Sequence, residues 1–228
     1  MRLVSRAAAV AAASVVAVAC TVAVVPLRAQ TPEQTLARAT AALSKVKTLR
    51  ASFTQTVNNP LLRRNVQARG EMVQRLPGQM SVRFTDPAGD RIVADGRWIW
   101  LYLPSTAPGQ VIKMPSGTGA GGVPDITSQF LDSPRERYTI SSGGAANVGG
   151  RPAHVLVLVP RREGLPFERA TVWVDDADGL IRQFETVDAS GLTRRVTITK
   201  LEVNPTVRSS EFTFTPPRGV RVVNQAGM

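Results

Sequence analysis

Apolar and polar residues alternate with a period of two from about residue 51 to residue 203, with one interruption near residues 116–137. Side chains of a β-strand point alternately to opposite faces, so this pattern predicts strands. Short turns rich in Gly, Pro, Asn and Asp separate the segments, as in antiparallel hairpins. About twelve strands cannot stay flat in one sheet, so the sequence predicts a strongly curved antiparallel sheet. The predicted strands are residues 51–57, 65–74, 79–85, 91–94, 98–103, 111–114, 138–141, 153–159, 169–175, 180–188, 193–203 and 211–215.

Two helices are predicted to cover the inner face of this sheet. The first begins with a capping box, Thr31-Pro32-Glu33-Gln34, and continues with apolar residues at helical spacing, which predicts a helix over Pro32–Leu49. The second is a short amphipathic helix over Pro124–Leu131, which follows the glycine-rich residues 116–122 and ends before Pro134. Periodicity alone leaves open whether this second segment is a mobile lid or a plain surface connection.

The first 29 residues have the features of a cleaved signal peptide. Arg2 and Arg6 precede an apolar run over 7–25, and a plausible cleavage site follows Ala29. The chain is therefore predicted to be exported, with residues 30–228 forming a single domain. The apolar run is also about long enough for an uncleaved membrane anchor. Cys20, the only cysteine, lies within it, so the mature chain has no thiol for disulfides, catalysis or metal binding.

The charge of the chain is strongly basic, with 28 Lys and Arg against 17 Asp and Glu. Such a charge favours an anionic partner, which could be a nucleic acid, a membrane surface or an acidic protein. The arginines are scattered among ordinary strands, and no basic helix or aromatic RNA-binding motif accompanies them. Because export also separates the protein from nucleic acids, we predict no nucleic-acid partner and a mostly solvated charged surface.

No residue pattern typical of catalysis or metal binding is present. His154 is the only histidine and lies in a strand that is apolar on both faces, so we predict a structural role for it. The residues of 175–179, Asp-Asp-Ala-Asp-Gly, lack the remaining ligands of a calcium loop and favour a hairpin turn. The sequence therefore predicts a binding protein that is not an enzyme and needs no metal or cofactor.

One predicted hairpin, 92–104, has the sequence IVADGRWIWLYLP. Asp95-Gly96 is a strong turn signal. In the strand that follows, Trp98, Trp100 and Tyr102 share one face, while Ile99, Leu101 and Leu103 share the other. Since both faces are apolar, something other than water must cover the second face. Alternation does not decide which set points inward, and we predict the aromatic set.

Five stretches resemble, in the correct order, the LolA family of periplasmic outer-membrane lipoprotein carriers. The clearest is residues 211–220, EFTFTPPRGV, which resembles the family's F-x-F-x-P-P-x-G-V ending. The others are residues 49–57 with Phe53-Thr54-Gln55, residues 70–78 with Pro77-Gly78, residues 92–104, and residues 179–184 with the sequence GLIRQF. Each motif is modest alone, but together they span nearly the whole mature chain.

The resemblance implies a mainly β fold with helices, in which the curved sheet forms an incomplete, half-open β-barrel closed by an N-terminal helix and a lid helix. It implies that the protein shields the acyl chains of lipoproteins and carries them through the periplasm. The implied partners are acylated lipoproteins, an inner-membrane ABC-type lipoprotein-releasing complex and an outer-membrane acceptor, with the carrier as a monomer. The alternative is a membrane-anchored acceptor lipoprotein of the same fold, lipidated at Cys20.

The residues expected to line the acyl-chain site are apolar and lie on the predicted inner face or the helices. They are Leu36, Leu43, Met72, Met80, Val82, Trp98, Trp100, Tyr102, Ile126, Phe130 and Leu131. Family members carry an Arg directly before a Pro in the second hairpin, where it holds the lid closed. This chain has Arg75-Leu76-Pro77, so Leu76 takes that position. Arg75 is the candidate latch, on condition that a bulge restores its direction.

Overall fold

The computed structural model describes residues 30–116 and 128–225. The predicted signal peptide with Cys20, and the predicted lid residue Ile126, lie outside these residues. The described chain contains three α-helices, one 3₁₀ helix and twelve strands. The bounds are α1 Pro32–Leu43, β1 Thr48–Asn59, β2 Arg64–Arg75, β3 Gln79–Asp86, β4 Ala88–Asp95, β5 Trp98–Tyr102, β6 Gln110–Pro115, α2 Ser128–Leu131, α3 Pro134–Arg137, β7 Tyr138–Val148, β8 Arg151–Pro160, β9 Arg169–Asp175, β10 Ile181–Val187, β11 Thr193–Val203, the 3₁₀ helix Ser209–Phe212 and β12 Arg221–Asn224.

All twelve strands belong to one curved, open sheet, which confirms the predicted fold class. The strand order is β12-β6-β5-β4-β3-β2-β1-β11-β10-β9-β8-β7. Sequential hairpins build each half, and the two halves join where β1 pairs with β11 in the centre of the sheet. The edge pair β12–β6 is parallel, and the alternation pattern did not predict it. The sheet is therefore antiparallel except at one edge.

Helix α1 begins as predicted and ends earlier. The Thr31 hydroxyl accepts a hydrogen bond from the Gln34 amide, and the Gln34 side chain accepts one from the Thr31 amide, which completes the capping box. The predicted end at Leu49 is wrong, because the helix ends at Leu43 and Leu49 already lies in β1. The Asn204 side chain accepts hydrogen bonds from the amides of Lys47 and Thr48, so a distant part of the chain fixes the extended start of β1.

Residues 204–220, here called the C-terminal segment, cross the face of the sheet opposite to α1. The predicted strand over 211–215 is wrong, because this stretch is a 3₁₀ turn followed by extended chain without strand partners. Phe212 is 1 % exposed, and Phe214 packs on β5. The two phenylalanines alternate in sequence because their side chains pack on the sheet, although the backbone of this stretch forms no strand pairing. The segment thus covers part of what we call the outer face, and α1 and α2 cover the inner face.

Candidate functional site

The inner face of the sheet is lined by apolar side chains from nearly every strand. Residues paired across neighbouring strands point to the same face. One row across the first half of the sheet therefore consists of Ala51, Met72, Val82, Ile92, Leu101 and Ile112. The row packs with Leu36 and Ala39 of α1 and with Phe130 and Leu131 of α2 in one hydrophobic cluster. The inner face can therefore accept an apolar ligand wherever the helices give way.

Helix α2 is held against the second half of the sheet by aromatic contacts. The ring centroid of Phe130 lies 6.0 Å from that of Phe167 and 5.4 Å from that of Phe184. Aromatic pairs at such separations are favourable by about 1 kcal/mol beyond the burial of their area. The carbonyl of Gln129 also accepts hydrogen bonds from the Tyr138 hydroxyl at 3.1 Å and from Arg137 at 3.3 Å. The four-residue helix is therefore fixed mainly through Phe130.

A polar cluster around Asp176, in the β9–β10 turn, holds helix α1 against the second half of the sheet. The Asp176 carboxylate accepts a hydrogen bond from Arg38 of α1 at 3.1 Å and lies 2.5 Å from Nδ1 of His154 in β8. Arg38 also donates to the Asp176 carbonyl. Burial would raise the pKa of Asp176, but the contacts with His154 and Arg38 outweigh it and lower the pKa. His154 thus contributes to positioning a helix.

The same turn explains the acidic residues of 175–179. Asp175 is 1 % exposed, and its carboxylate accepts hydrogen bonds from Arg151, Arg182 and the Ala177 amide. Burial would raise the pKa of Asp175, yet these hydrogen bonds outweigh it and lower the pKa to about 2. The predicted hairpin turn is therefore confirmed, with arginines as the partners of the carboxylate. Within the part of the chain that the structure describes, no group of three His, Cys, Asp or Glu is arranged to hold a metal.

The space enclosed between the inner face and the helices is small. A cavity of about 10 Å³ is lined by eight apolar residues, namely Leu43, Leu49, Met72, Leu131, Leu180, Ile181, Ile198 and Leu201. Pockets for small-molecule ligands have volumes of roughly 300–1,000 Å³. An open groove of about 480 Å³ lies outside, between α1 and residues 133–136. Around these eight residues, the described helices leave no room for a long acyl chain.

Comparison with known proteins decides the family. The model of the family described as outer membrane lipoprotein carrier protein LolA matches residues 44–119 and 136–215, which is more than half of the chain. The chain belongs to the LolA family. A lipoprotein carrier of Dechloromonas aromatica is 26% identical over 183 residues, covering 80% of this chain and 84% of that protein. A carrier of Methylibium petroleiphilum is 29% identical over 185 residues, covering 80% and 86%.

Solved structures agree with the fold. An uncharacterised conserved protein from Thermus thermophilus superposes with a TM-score of 0.53 at 15% identity, covering 85% of this chain and 98% of that one. Such a low identity supports the fold alone. Among the described residues, no helix has the length and apolar character needed to cross a bilayer. The family assignment therefore rests on the sequence match, and the solved structure supports the fold.

The structure brings together most of the residues predicted to line the LolA-type cavity. Leu36, Met72, Met80, Val82, Phe130 and Leu131 are all buried in the cluster between the sheet and the helices, and Leu43 packs against it. Whether they contact an acyl chain stays a prediction. The second half of the inner face also contributes Tyr138, Leu156, Leu158, Phe167 and Phe184, which our sequence analysis missed. Leu156 and Leu158 lie in a strand that is apolar on both faces, so alternation did not single them out, and Phe167 lies in a loop.

The predicted orientation of β5 is wrong. Ile99 is 3 % exposed and belongs to the inner cluster, which Leu101 joins, so Trp98, Trp100 and Tyr102 lie on the outer face. The ring centroids of Trp100 and Tyr102 lie 5.7 and 5.8 Å from that of Phe214 in the C-terminal segment. That segment, together with Lys113 whose Nζ lies 4.1 Å from the Trp98 ring centroid, covers the second apolar face.

The predicted lid latch at Arg75 is also wrong. Its guanidinium donates to the carbonyl of Val207 at 3.0 Å and lies 5.1 Å from the ring centroid of Phe212, so it binds the C-terminal segment on the outer face. The next residue, Leu76, packs on the small cluster of Val46, Leu49 and Leu180 near the end of α1. The one-residue offset in Arg75-Leu76-Pro77 therefore places an apolar contact where an arginine was expected.

Asp95 and Gly96 form the predicted hairpin, with positive φ at Gly96 only.

Proposed function

We propose that this protein is a periplasmic chaperone that shields the acyl chains of lipoproteins. It would receive them from an inner-membrane ABC-type lipoprotein-releasing complex and deliver them to an outer-membrane acceptor. The observation that supports this role best is a continuous apolar inner face closed by two helices. Relatives named outer-membrane lipoprotein carrier proteins share 26–29% identity over about 80% of the chain, which supports the same role.

The energetics of acyl chains explain why such a face suits a carrier. Each CH₂ group kept out of water is favourable by about 0.8 kcal/mol, so two or three long chains need extensive apolar contact. In the closed protein the helices already fill this face with Leu36, Phe130 and Leu131. Binding then exchanges one set of apolar contacts for another, and the net affinity stays moderate. Reversible exchange of this kind is what pickup and delivery require.

The same proposal assigns residues 1–29 to an export signal and residues 30–228 to one carrier domain. The mature protein purified from the periplasm is expected to begin at Gln30 and to carry no lipid. Mass spectrometry of the intact protein measures both properties. A mature N-terminus at Cys20 with attached acyl groups would instead indicate the membrane-anchored acceptor, and would refute a soluble carrier.

The test of acyl-chain binding uses Leu131, which lines the enclosed cavity and is 6 % exposed. Leu131→Glu would place a charge on the inner face and is expected to abolish the capacity to keep a purified lipoprotein in solution without detergent. Val159→Glu is the matched control, because Val159 is 44 % exposed on β8. Circular dichroism should show a folded sheet in both variants. Normal lipoprotein binding by a folded Leu131→Glu protein would contradict the assignment of the site.

A further inference from the structure

The turn between β1 and β2 exposes two neighbouring leucines. Leu61 is 75 % exposed and Leu62 is 71 % exposed, more than any other large apolar residue exposed in the described chain. A single exposed leucine is ordinary on a protein surface. Two adjacent ones at the most projecting point of a hairpin form an apolar tip. Residues 60–64, Pro-Leu-Leu-Arg-Arg, are here called the hairpin tip.

The hairpin tip has a defined conformation that holds the leucines outward. The Leu62 amide donates to the Asn59 side chain at 3.1 Å, and the Arg63 amide donates to the Pro60 carbonyl at 3.3 Å. Arg63 has a φ of 48°, a conformation that residues other than glycine adopt rarely. The ring of Pro60 lies beside the β10–β11 turn, since a Cβ added at Gly191 would lie 3.4 Å from it. The exposure of the two leucines is thus built into the fold.

Basic charge accompanies the apolar tip. Arg63 and Arg64 follow the leucines directly, and neither forms an ion pair within the described part of the chain. Arg194 lies on the neighbouring strand β11, opposite Val57. The Asp188 carboxylate accepts hydrogen bonds from Ser190 and Leu192 and also attracts Arg194. The tip therefore presents two apolar side chains beside Arg63 and Arg64, which form no ion pair with the described residues.

We propose that the hairpin tip docks this protein on the surface of an anionic lipid bilayer. Leu61 and Leu62 enter the interfacial layer, and Arg63 and Arg64 contact lipid phosphates. Membrane-surface binding combines these two contributions, buried apolar area and attraction to anionic lipids. Without Arg2, Arg6 and Arg28 of the predicted signal peptide, 25 of the 28 basic residues remain against 17 acidic residues, and this basic charge favours the same surface at longer range.

The hairpin tip lies beside one end of the inner face, so docking at the tip would bring that face close to the membrane. Alternation along β1 and β2 places Phe53, Val57, Val66 and Ala68 on the inner face, and Val57 pairs with Val66 near the tip. Val66 is 43 % exposed, so apolar side chains of the inner face, interrupted by Gln55 and Arg194, reach the edge of the protein beside the hairpin tip. This step rests on the proposed carrier function: docking would shorten the distance that an acyl chain travels through water.

Vesicle flotation of the mature protein tests the proposal. Vesicles of phosphatidylethanolamine with about one-third phosphatidylglycerol are compared with vesicles of phosphatidylcholine alone. The wild-type protein should bind the anionic vesicles and lose binding as salt rises. Leu61→Ser with Leu62→Ser should reduce the partition coefficient at least about tenfold, given the apolar area removed. Arg63→Ala with Arg64→Ala should reduce it about fivefold per arginine and weaken its salt dependence.

The control is Val203→Ser, because Val203 is 44 % exposed on β11 at the end of β1 opposite the tip. It should bind vesicles like the wild type, and all variants should keep the wild-type circular dichroism. Absence of wild-type binding, or equal binding by the leucine variant, would overturn the proposal. A concentration-dependent dimer that the leucine variant abolishes would also overturn it, by assigning the tip to a second copy. The capacity to keep a lipoprotein in solution is measured in parallel without vesicles. A wild-type protein that lacks this capacity would refute the carrier function instead of the docking proposal.

Discussion

Replacing Asp176 should loosen helix α1 without disturbing the sheet. The Asp176 carboxylate links Arg38 of α1 to His154 of β8, and the side chains of Arg38 and Asp176 are 29% and 31% exposed. Partly exposed ion pairs contribute little, so we estimate about 1 kcal/mol for this cluster. Arg38 keeps its hydrogen bond to the Asp176 carbonyl in an Asp176→Ala protein. The variant should therefore fold and dissociate α1 more often.

The expected change in acyl-chain affinity follows from the small volume of the closed cavity. If acyl chains bind only when α1 or α2 is displaced, the apparent dissociation constant equals the intrinsic one divided by the open fraction. A loss of about 1 kcal/mol from the closed form raises that fraction about fivefold. Hydrogen exchange of the α1 amides should accelerate by a similar factor. The affinity for a fluorescent fatty acid should increase up to about fivefold.

Glu211→Ala is the matched control, because Glu211 forms an ion pair of similar exposure with Arg50 and belongs to the C-terminal segment instead of contacting α1. Equal hydrogen-exchange rates of the α1 amides in the two variants, or weaker fatty-acid binding by Asp176→Ala, would refute the argument.

The contribution of the Asp176 cluster to the closed form depends on pH, and the sign of this dependence is definite. Since the pKa of Asp176 is lowered in the folded protein, the cluster stabilises the closed form above about pH 4 and is lost as the pH falls further.

Three further predictions concern packing. Brominated fatty acids should quench the three native tryptophans weakly, while a tryptophan introduced by Leu101→Trp should be quenched strongly; strong native quenching would reverse the orientation of β5. Gly70→Ala should lower the melting temperature, because its Cβ would lie 2.8 Å from the Phe53 ring, and an unchanged value would contradict this close contact. Phe212→Ala should cost about 3–5 kcal/mol in urea unfolding, and a cost below about 1 kcal/mol would show that the C-terminal segment is loosely attached.

Much of the fold follows from local pattern. Strand alternation and turn residues predicted a curved sheet, and the capping box at Thr31 predicted the start of α1. The end of α1 was not predictable in this way, because Asn204 fixes the start of β1 from 157 residues away. The parallel pairing of β12 with β6 also depends on a distant partner. These features arise from contacts between remote parts of the chain.

The orientation of β5 shows why part of the candidate site escaped prediction. Trp100 and Ile99 are both apolar, and alternation is symmetric between the two faces of a strand. The choice depends on pairing, since Ile99 lies opposite Ala94 and Met114 of the inner cluster. The outer face is apolar because Phe214 covers it, and Phe214 is more than 110 residues distant along the chain. A local pattern contains neither piece of information.

The pairing of β1 with β11 has a consequence for how the chain acquires its structure. Phe53 of β1 lies opposite Ile198 of β11. Strand β1 can therefore complete its pairing only after almost the whole chain has been synthesised. The entropy of closing such long loops makes folding slow when contacts are distant in sequence. A chain threaded through a translocation pore from its N-terminus therefore stays without a finished core until its last strands emerge. Under the proposed export, such late closure would keep the chain unfolded while it crosses the membrane.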